Sequence, residues 1–293
     1  MQEYRGRSAI APLCHAASDC WGDRSTLHPG NIWWGALPRH GTVDDWRVAV
    51  WADSAGPVAA AWLEGPHHAT ILAAPAHPKR DKLLADAAHW AVSHGDRHEL
   101  RTEVLETDRA VVGAWEKSGM QPRVSPAYLL RDVRDLGNLG DPAALPGYRM
   151  RPVRDTAVDQ DARVELHVAS WSTTIHLSDF DVDGYTILRQ SPYYRPQLDI
   201  VVEGPDGRLH GSVLIWFDEL TKVGLLWPVG VRPEKRRMGL GRAAVLSALW
   251  ALRALGGHEV IVWPRGDNDY PGPARLFTGL GWTSTGRTIP FAL

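Results

Sequence analysis

Short apolar runs separated by Gly, Pro and Asp clusters set the pattern of the chain's first half. The segment "VAVWADSAGPVAAAWLEGPHHATILAAPAHPKRDKLLADAAHWAV", from residue 48, predicts strand, turn, strand, turn and strand, followed by an amphipathic helix. The same order returns from residue 198 in "LDIVVEGPDGRLHGSVLIWFDELTKVGLLWPVGVRPEKRRMGLGRAAVLSALWAL". Both copies place a proline just after the third strand (Pro78 and Pro233), then charge, then the helix. Both close on a small apolar helix ending in glycine, "AWEKSGM" at 114–120 and "LFTGLGW" at 276–282. A weak internal repeat of this kind implies two related units. Between them, "RDVRDLGNLGDPAALPGYRM" (131–150) is rich in Gly, Pro and Asp without sustained periodicity and reads as a connection.

The copies diverge after the proline. In the second, "VGLLWPVGV" (223–231) carries Pro228 inside a strand, which implies a bulge or an edge because proline cannot donate to the ladder. A turn from Arg232 to Gly239 follows, then a helix from about Leu240 to Leu255, stopped by Gly256 and Gly257. Gly239 and Gly241 thus sit at a helix entrance, where unpaired amides and the helix dipole favour an anion and glycines let it approach the backbone. Arg236, Arg237 and Arg242 add positive charge, with Lys235 further out. The alternative is a solvated basic turn that caps a helix. After Pro78 the first copy has "KRDKLLADAA" and no glycine, so only the second can form such a site. Neither G-x-x-x-x-G-K-[ST] nor a post-strand G-x-G-x-x-G is present.

Composition narrows the partners. At 293 residues the chain is long enough for two domains, and 44% apolar with 23% charged residues is globular. A net charge of -2 gives no reason to expect nucleic acid as partner. Cys14 and Cys20 fit a reducing cytoplasm. No run reaches the roughly 18 apolar residues of a membrane span, so a soluble cytoplasmic protein without membrane contact is expected. His94 and His98 are four apart, but Gly95 interrupts them and no third ligand is evident, so no metal is implied.

The order of strand, R-R-M-G-L-G, long helix, strand "EVIVW" (259–263) and "GDNDYPGPARLFTGLGW" resembles the GNAT superfamily of acyl-CoA-dependent acetyltransferases over about residues 147–293. The first half resembles a degenerate copy, and the whole is similar to tandem acetyltransferases, among them mycothiol synthases and antibiotic-modifying enzymes. The resemblance implies an α/β (α+β) fold of two tandem GNAT-like domains, each a mixed, mostly antiparallel, splayed sheet flanked by helices. The first (1–135) would lack the pyrophosphate loop, and the second (145–293) would bind acetyl-CoA and catalyse.

In that family the basic turn binds the coenzyme's pyrophosphate and the bulged strand pairs with its pantetheine arm. By position the turn is Arg236, Arg237, Met238, Gly239, Leu240, Gly241 and Arg242, and the strand is Val229, Gly230 and Val231. Asn268 and Phe277 match coenzyme-contacting positions, Phe277 standing where the family usually has a proton-donating Tyr; Tyr270 is the nearby alternative donor. An alkyl amine must lose a proton before attack, at a cost of about 4 kcal/mol at neutral pH. Asp218 and Glu219, after the strand "SVLIWF", are candidate proton acceptors, with a solvated turn as the alternative. Asp179, Asp181 and Asp183, beside Trp171, His176 and Tyr185, fall in the region resembling the acceptor loop and would suit a cationic amine. The resemblance implies N-acetylation of a small cationic amine, with an aminoglycoside or a cyclic peptide such as capreomycin as the expected acceptor, by a monomer or homodimer. A mycothiol synthase-like acyltransferase and a non-catalytic acyl-CoA-binding module are the alternatives.

Overall fold

The alternation that begins near residue 47 forms an antiparallel meander in the computed structural model, which describes residues 1–37, 43–142, 144–172 and 180–293. Strands β1 (Gln2–Arg5), β2 (Arg47–Asp53), β3 (Gly56–Leu63) and β4 (Ala69–Ala73) pair in that order. Helices α1 (Ile10–Asp19), α2 (Pro29–Gly35) and α3 (Arg80–His94) accompany them, followed by β5 (Arg101–Leu105), α4 (Arg109–Lys117) and the short β6 (Gln121–Pro122). Small side chains on the sheet, Ala49, Ala59 and Ala61, share one core with Leu84, Ala88 and Trp90 of α3 and Trp115 of α4. These elements belong to a first unit of Met1–Asp132, Trp263–Ala274 and Ser284–Leu293. The end of the chain pairs antiparallel with β5, from Thr288 opposite Leu105 to Ala292 opposite Arg101.

The second unit comprises Val133–Val262 and Arg275–Thr283. The segment expected to be a plain connection starts with a strand, β7 (Leu130–Asp135), and Leu136 and Leu139 after it are buried. Its alternating charges masked a strand that periodicity could not separate from a linker. Then come β8 (Arg149–Pro152), α5 (Ala157–Trp171), α6 (Val182–Arg189), β9 (Asp199–Glu203), β10 (Leu209–Asp218), β11 (Val223–Val231), α7 (Leu240–Ala254), β12 (Glu259–Val262) and α8 (Gly272–Gly279), which belongs here from Arg275, while all of the last strand, β13 (Thr283–Ala292), after Thr283 belongs to the first unit. Strands β8 to β11 are antiparallel neighbours and β12 is parallel to β11. Every residue of β10 is buried, as its near-continuous apolar run requires. Leu240, Ala244, Ala248 and Leu252 on one face of α7 pack on Val213, Ile215 and Leu226. The structure is thus a mixed α/β fold of two units with open sheets, in line with the expected class.

Helix α5 is tied to the sheet by charge as well as by apolar contact. Arg163 Nε donates to Asp199 Oδ1 at 3.0 Å, with both residues fully buried, and the Tyr185 hydroxyl donates to Asp199 Oδ2 at 2.7 Å. Burial and the neighbouring carboxylate push the Tyr185 hydroxyl's pKa far up, so it stays protonated. Removing one partner of such a pair leaves an uncompensated buried charge. Asp199→Asn is therefore expected to lower unfolding free energy by about 3–5 kcal/mol, read from urea denaturation; a loss below 1 kcal/mol would show that the pair does not hold α5.

Candidate functional site

The site begins where β11 outruns one neighbour. Its parallel pairing with β12 covers Val223–Leu225 against Glu259–Ile261. The strand then continues to Val231, still paired with β10 on the other edge. That β10 ladder shifts register between Val213 and Ile215, opposite Trp227 and Pro228, where the proline predicted an irregularity. Trp216 Nε1 donates to the Trp227 carbonyl at 2.8 Å, fixing the bulge from β10. From Leu226 onward the second edge of β11 has no ladder partner among the described residues, leaving backbone groups available to an extended ligand. Val229 and Val231 turn into the core, while Gly230 faces α5. A Cβ on Gly230 would lie 2.8 Å from Ser170 Cβ, so only glycine admits the helix end there.

Past Val231, a single 3-10 turn over Pro233–Lys235 leads to Arg237 with φ +61° and Gly239 with φ +83°. A left-handed arginine is uncommon and marks a turn whose shape is imposed from outside. Helix α7 starts at Leu240 behind Gly239, which offers no side-chain cap. The amides of its first turn therefore face outward with the positive end of the dipole. Arg236, Arg237 and Arg242 are exposed there, as is Met238. Arg242 donates to the Gly279 carbonyl at 2.8 Å, and Arg236 donates to the carbonyls of Ser170 (2.8 Å) and Val231 (3.3 Å). Arg232, which sequence reasoning treated only as the start of the turn, is buried: its Nε donates to the Leu209 carbonyl at 2.8 Å and its Nη2 to the Glu165 carboxylate. No spacing in the sequence distinguishes it from its exposed neighbours.

Other expected residues are placed differently. Asp218 is buried and accepts from Leu220 N and Thr221 Oγ1, each at 3.0 Å, so it closes the β10–β11 turn. Exposed Glu219 pairs with Arg195 at 2.7 Å, and that hydrogen bond holds its pKa below the usual value. Both lie at the opposite end of β11 from Val231, about 26 Å away for a strand of this length, which removes them from the basic turn. Asp181 caps α6 by accepting from Gly184 N at 2.8 Å, Asp183 is exposed in the first turn of α6, and Tyr185 is buried, its hydroxyl donating to Asp199. His176 and Asp179 lie outside the described residues. Half-buried Trp171 ends α5 beside His167, which packs on Phe180 with ring centroids 4.6 Å apart, an aromatic group the sequence did not single out. Phe277 is a core residue packed on Trp282. Asn268, exposed, and Tyr270, half-buried with the Arg265 guanidinium 6.0 Å from its ring, fall in the Trp263–Ala274 segment of the first unit.

The first unit repeats the splay without the turn. Among the described residues β4 and β5 form no ladder: an isolated bridge joins His68, just before β4, to Arg101, and both strands line a cavity of about 310 Å³. At the entrance to α3, where the second unit has its glycines, Arg80 grips Asp108 through two bonds of 2.8 and 3.1 Å. The cation is neutralised internally.

Residues 165–274 match the model of the acetyltransferase (GNAT) family. The chain is 29% identical over 167 residues to a mycothiol acetyltransferase of Kineococcus radiotolerans, covering 56% of this chain and 53% of that protein, so it spans about half that relative's length. A mycothiol acetyltransferase of Beutenbergia cavernae is 26% identical over 204 residues, covering 64% and 68% of the two chains. Among solved structures, a tandem GNAT protein from the clavulanic acid biosynthesis pathway has a TM-score of 0.61 at 17% identity, covering 97% of this chain and 92% of its own. A GNAT-family acetyltransferase from Colwellia psychrerythraea has a TM-score of 0.61 at 13% identity, covering 99% of each. At such identities the structures establish the fold.

The two glycines flanking the turn are expected to differ in tolerance. Gly230→Ala forces Ser170 aside and should cost about 1–3 kcal/mol. At Gly241 a Cβ meets nothing nearer than Val231 Cγ2 at 3.5 Å, so Gly241→Ala should be nearly neutral in the same denaturation series. Equal losses at both positions would contradict this packing.

Proposed function

Because this chain carries a GNAT acetyltransferase domain, we propose that it is an acyl-CoA-dependent N-acetyltransferase whose donor site is built by the second unit alone. The observation that carries the reading is the half-free edge of β11 running directly into a left-handed turn at an uncapped helix entrance. Those features fit acetyl-CoA: the α7 amides with Arg237 and Arg242 suit its phosphates, and the backbone of Val229–Val231 suits an extended amide-bearing arm. When bound, acetyl-CoA supplies the activated acetyl group. The chain's own contribution is positioning, holding the donor arm straight against a rigid strand so that an amine can approach the carbonyl. Phe277 has no proton to give, and a thiol with an ordinary pKa near 8.5 is a tolerable leaving group without one. In the first unit, the Arg80–Asp108 pair stands against a second phosphate site.

For the acceptor, the relatives named mycothiol acetyltransferase favour the amine of a thiol-bearing amino sugar of the mycothiol type. The cationic-antibiotic reading draws on Asp183 as its one exposed carboxylate among the described members of the expected acidic set.

Calorimetry with acetyl-CoA is expected to give one site per chain, weakened at least tenfold by Gly239→Glu and several-fold by Arg237→Ala. Absence of binding to the unaltered protein ends the reading. Acetylated product detected by mass spectrometry should appear with amine-bearing sugar thiols; product with aminoglycosides or capreomycin, lost in Asp183→Asn, would select the cationic acceptor instead.

A further inference from the structure

The two arginines that flank the 3-10 turn both bond back onto the protein, Arg232 from a buried position and Arg236 from an exposed one. Arg232 is buried, with its guanidinium divided between the Leu209 carbonyl, at the start of β10, and the Glu165 carboxylate of α5, while its backbone N–H donates to the His210 carbonyl at 3.0 Å. Arg236, four residues on, spends Nη2 on the Ser170 carbonyl at the end of α5 and Nε on Val231. Glu165 and Ser170 both belong to α5, so the turn is fastened to one helix at two points about 7.5 Å apart along its axis. Between the fastenings and α7, Arg237 is driven to φ +61° and its exposed side chain makes no hydrogen bond within the described residues.

We propose that Arg232 and Arg236 are positioning residues, which lock the phosphate-binding turn onto α5 through hydrogen bonds, while Arg237, whose side chain makes no such bond among the described residues, carries charge that meets the anion. The division rests on the coenzyme reading above. A planar fork that must reach a carbonyl and a carboxylate at once demands arginine at 232. At 236 the partners are two neutral carbonyls, so hydrogen-bond donors are required there and a positive charge is not.

Titration of coenzyme A into the full chain at several salt concentrations separates these roles, because direct ion contacts weaken with ionic strength and neutral hydrogen bonds do so far less. Arg236→Ala, Arg232→Lys and Glu165→Ala are expected to raise Kd about tenfold, and Arg236→Gln, neutral but still a donor, to recover most of the loss at 236. The salt dependence of Kd should stay that of the unaltered protein in Arg236→Gln and flatten in Arg237→Ala, with thermal midpoints reported for each variant. If Arg236→Gln binds as poorly as Arg236→Ala with a flattened salt dependence, Arg236 is a direct phosphate ligand and the proposal falls. Native affinity in both Arg232→Lys and Glu165→Ala would also overturn it. Failure of the unaltered protein to bind coenzyme A would instead defeat the donor-site reading, and the inference with it.

Discussion

The parting of β11 from β12 after Leu225 is the constraint on which the rest of the site depends. A fully paired parallel strand would have its backbone groups consumed by the sheet, and no extended ligand could read them. The bulge at Trp227–Pro228 keeps the other edge on β10 while the free edge continues to Val231. The sheet then stays closed on one side, so opening the other exposes backbone without exposing the core. Val229 and Val231 remain packed throughout the open segment. Strand continuity into the α7 turn places a neutral, amide-reading edge directly before a positive, anion-reading helix entrance, a sequence of environments that matches a molecule with an amide-bearing arm joined to phosphates.

The first unit shows that the splay alone is insufficient. Its strands β4 and β5 likewise form no ladder among the described residues, yet the entrance of α3 carries Arg80 locked to Asp108, and no glycine opens the turn after Pro78. Charge there is balanced within the protein, whereas beside α7 the exposed arginines outnumber the acids of their turn. A chain with net charge -2 can therefore carry a strongly cationic turn, because exposed charges farther off than a Debye length of about 8 Å are largely screened.

Much of this architecture was legible in the residues. Period-two runs located β2 to β4 and β9 to β11, the Gly256 stop ended α7 within a residue of expectation, and Pro228 announced the bulge. Chemistry carried by long polar side chains was less legible. Asp218 and Tyr185 looked like site residues because their types suit acid-base or pocket roles, and tertiary contacts turned them into a turn-closing acceptor and a buried hydroxyl. Arg232 is illegible for the converse reason: one arginine among several in a basic turn gives no sign that it alone is buried, since its partners at Leu209 and Glu165 are distant in sequence. Short-range pattern sets local structure, but the partner of a flexible charge is decided by the fold.

Helix α5 gathers these distant partners. Asp159, Arg163 and Ser170 follow one another at spacings close to whole turns, and each meets a different element: Arg151 of β8, Asp199 of β9 and Arg236 of the basic turn. A rotation of the helix by one residue, about 100°, would break all three at once and leave Arg163 and Asp199 buried without their charges matched. The buried ions thus fix the rotational setting of α5, and with it the height at which Ser170 meets Gly230 and receives Arg236. The setting of the basic turn is inherited in part from a salt bridge on another strand of the same sheet.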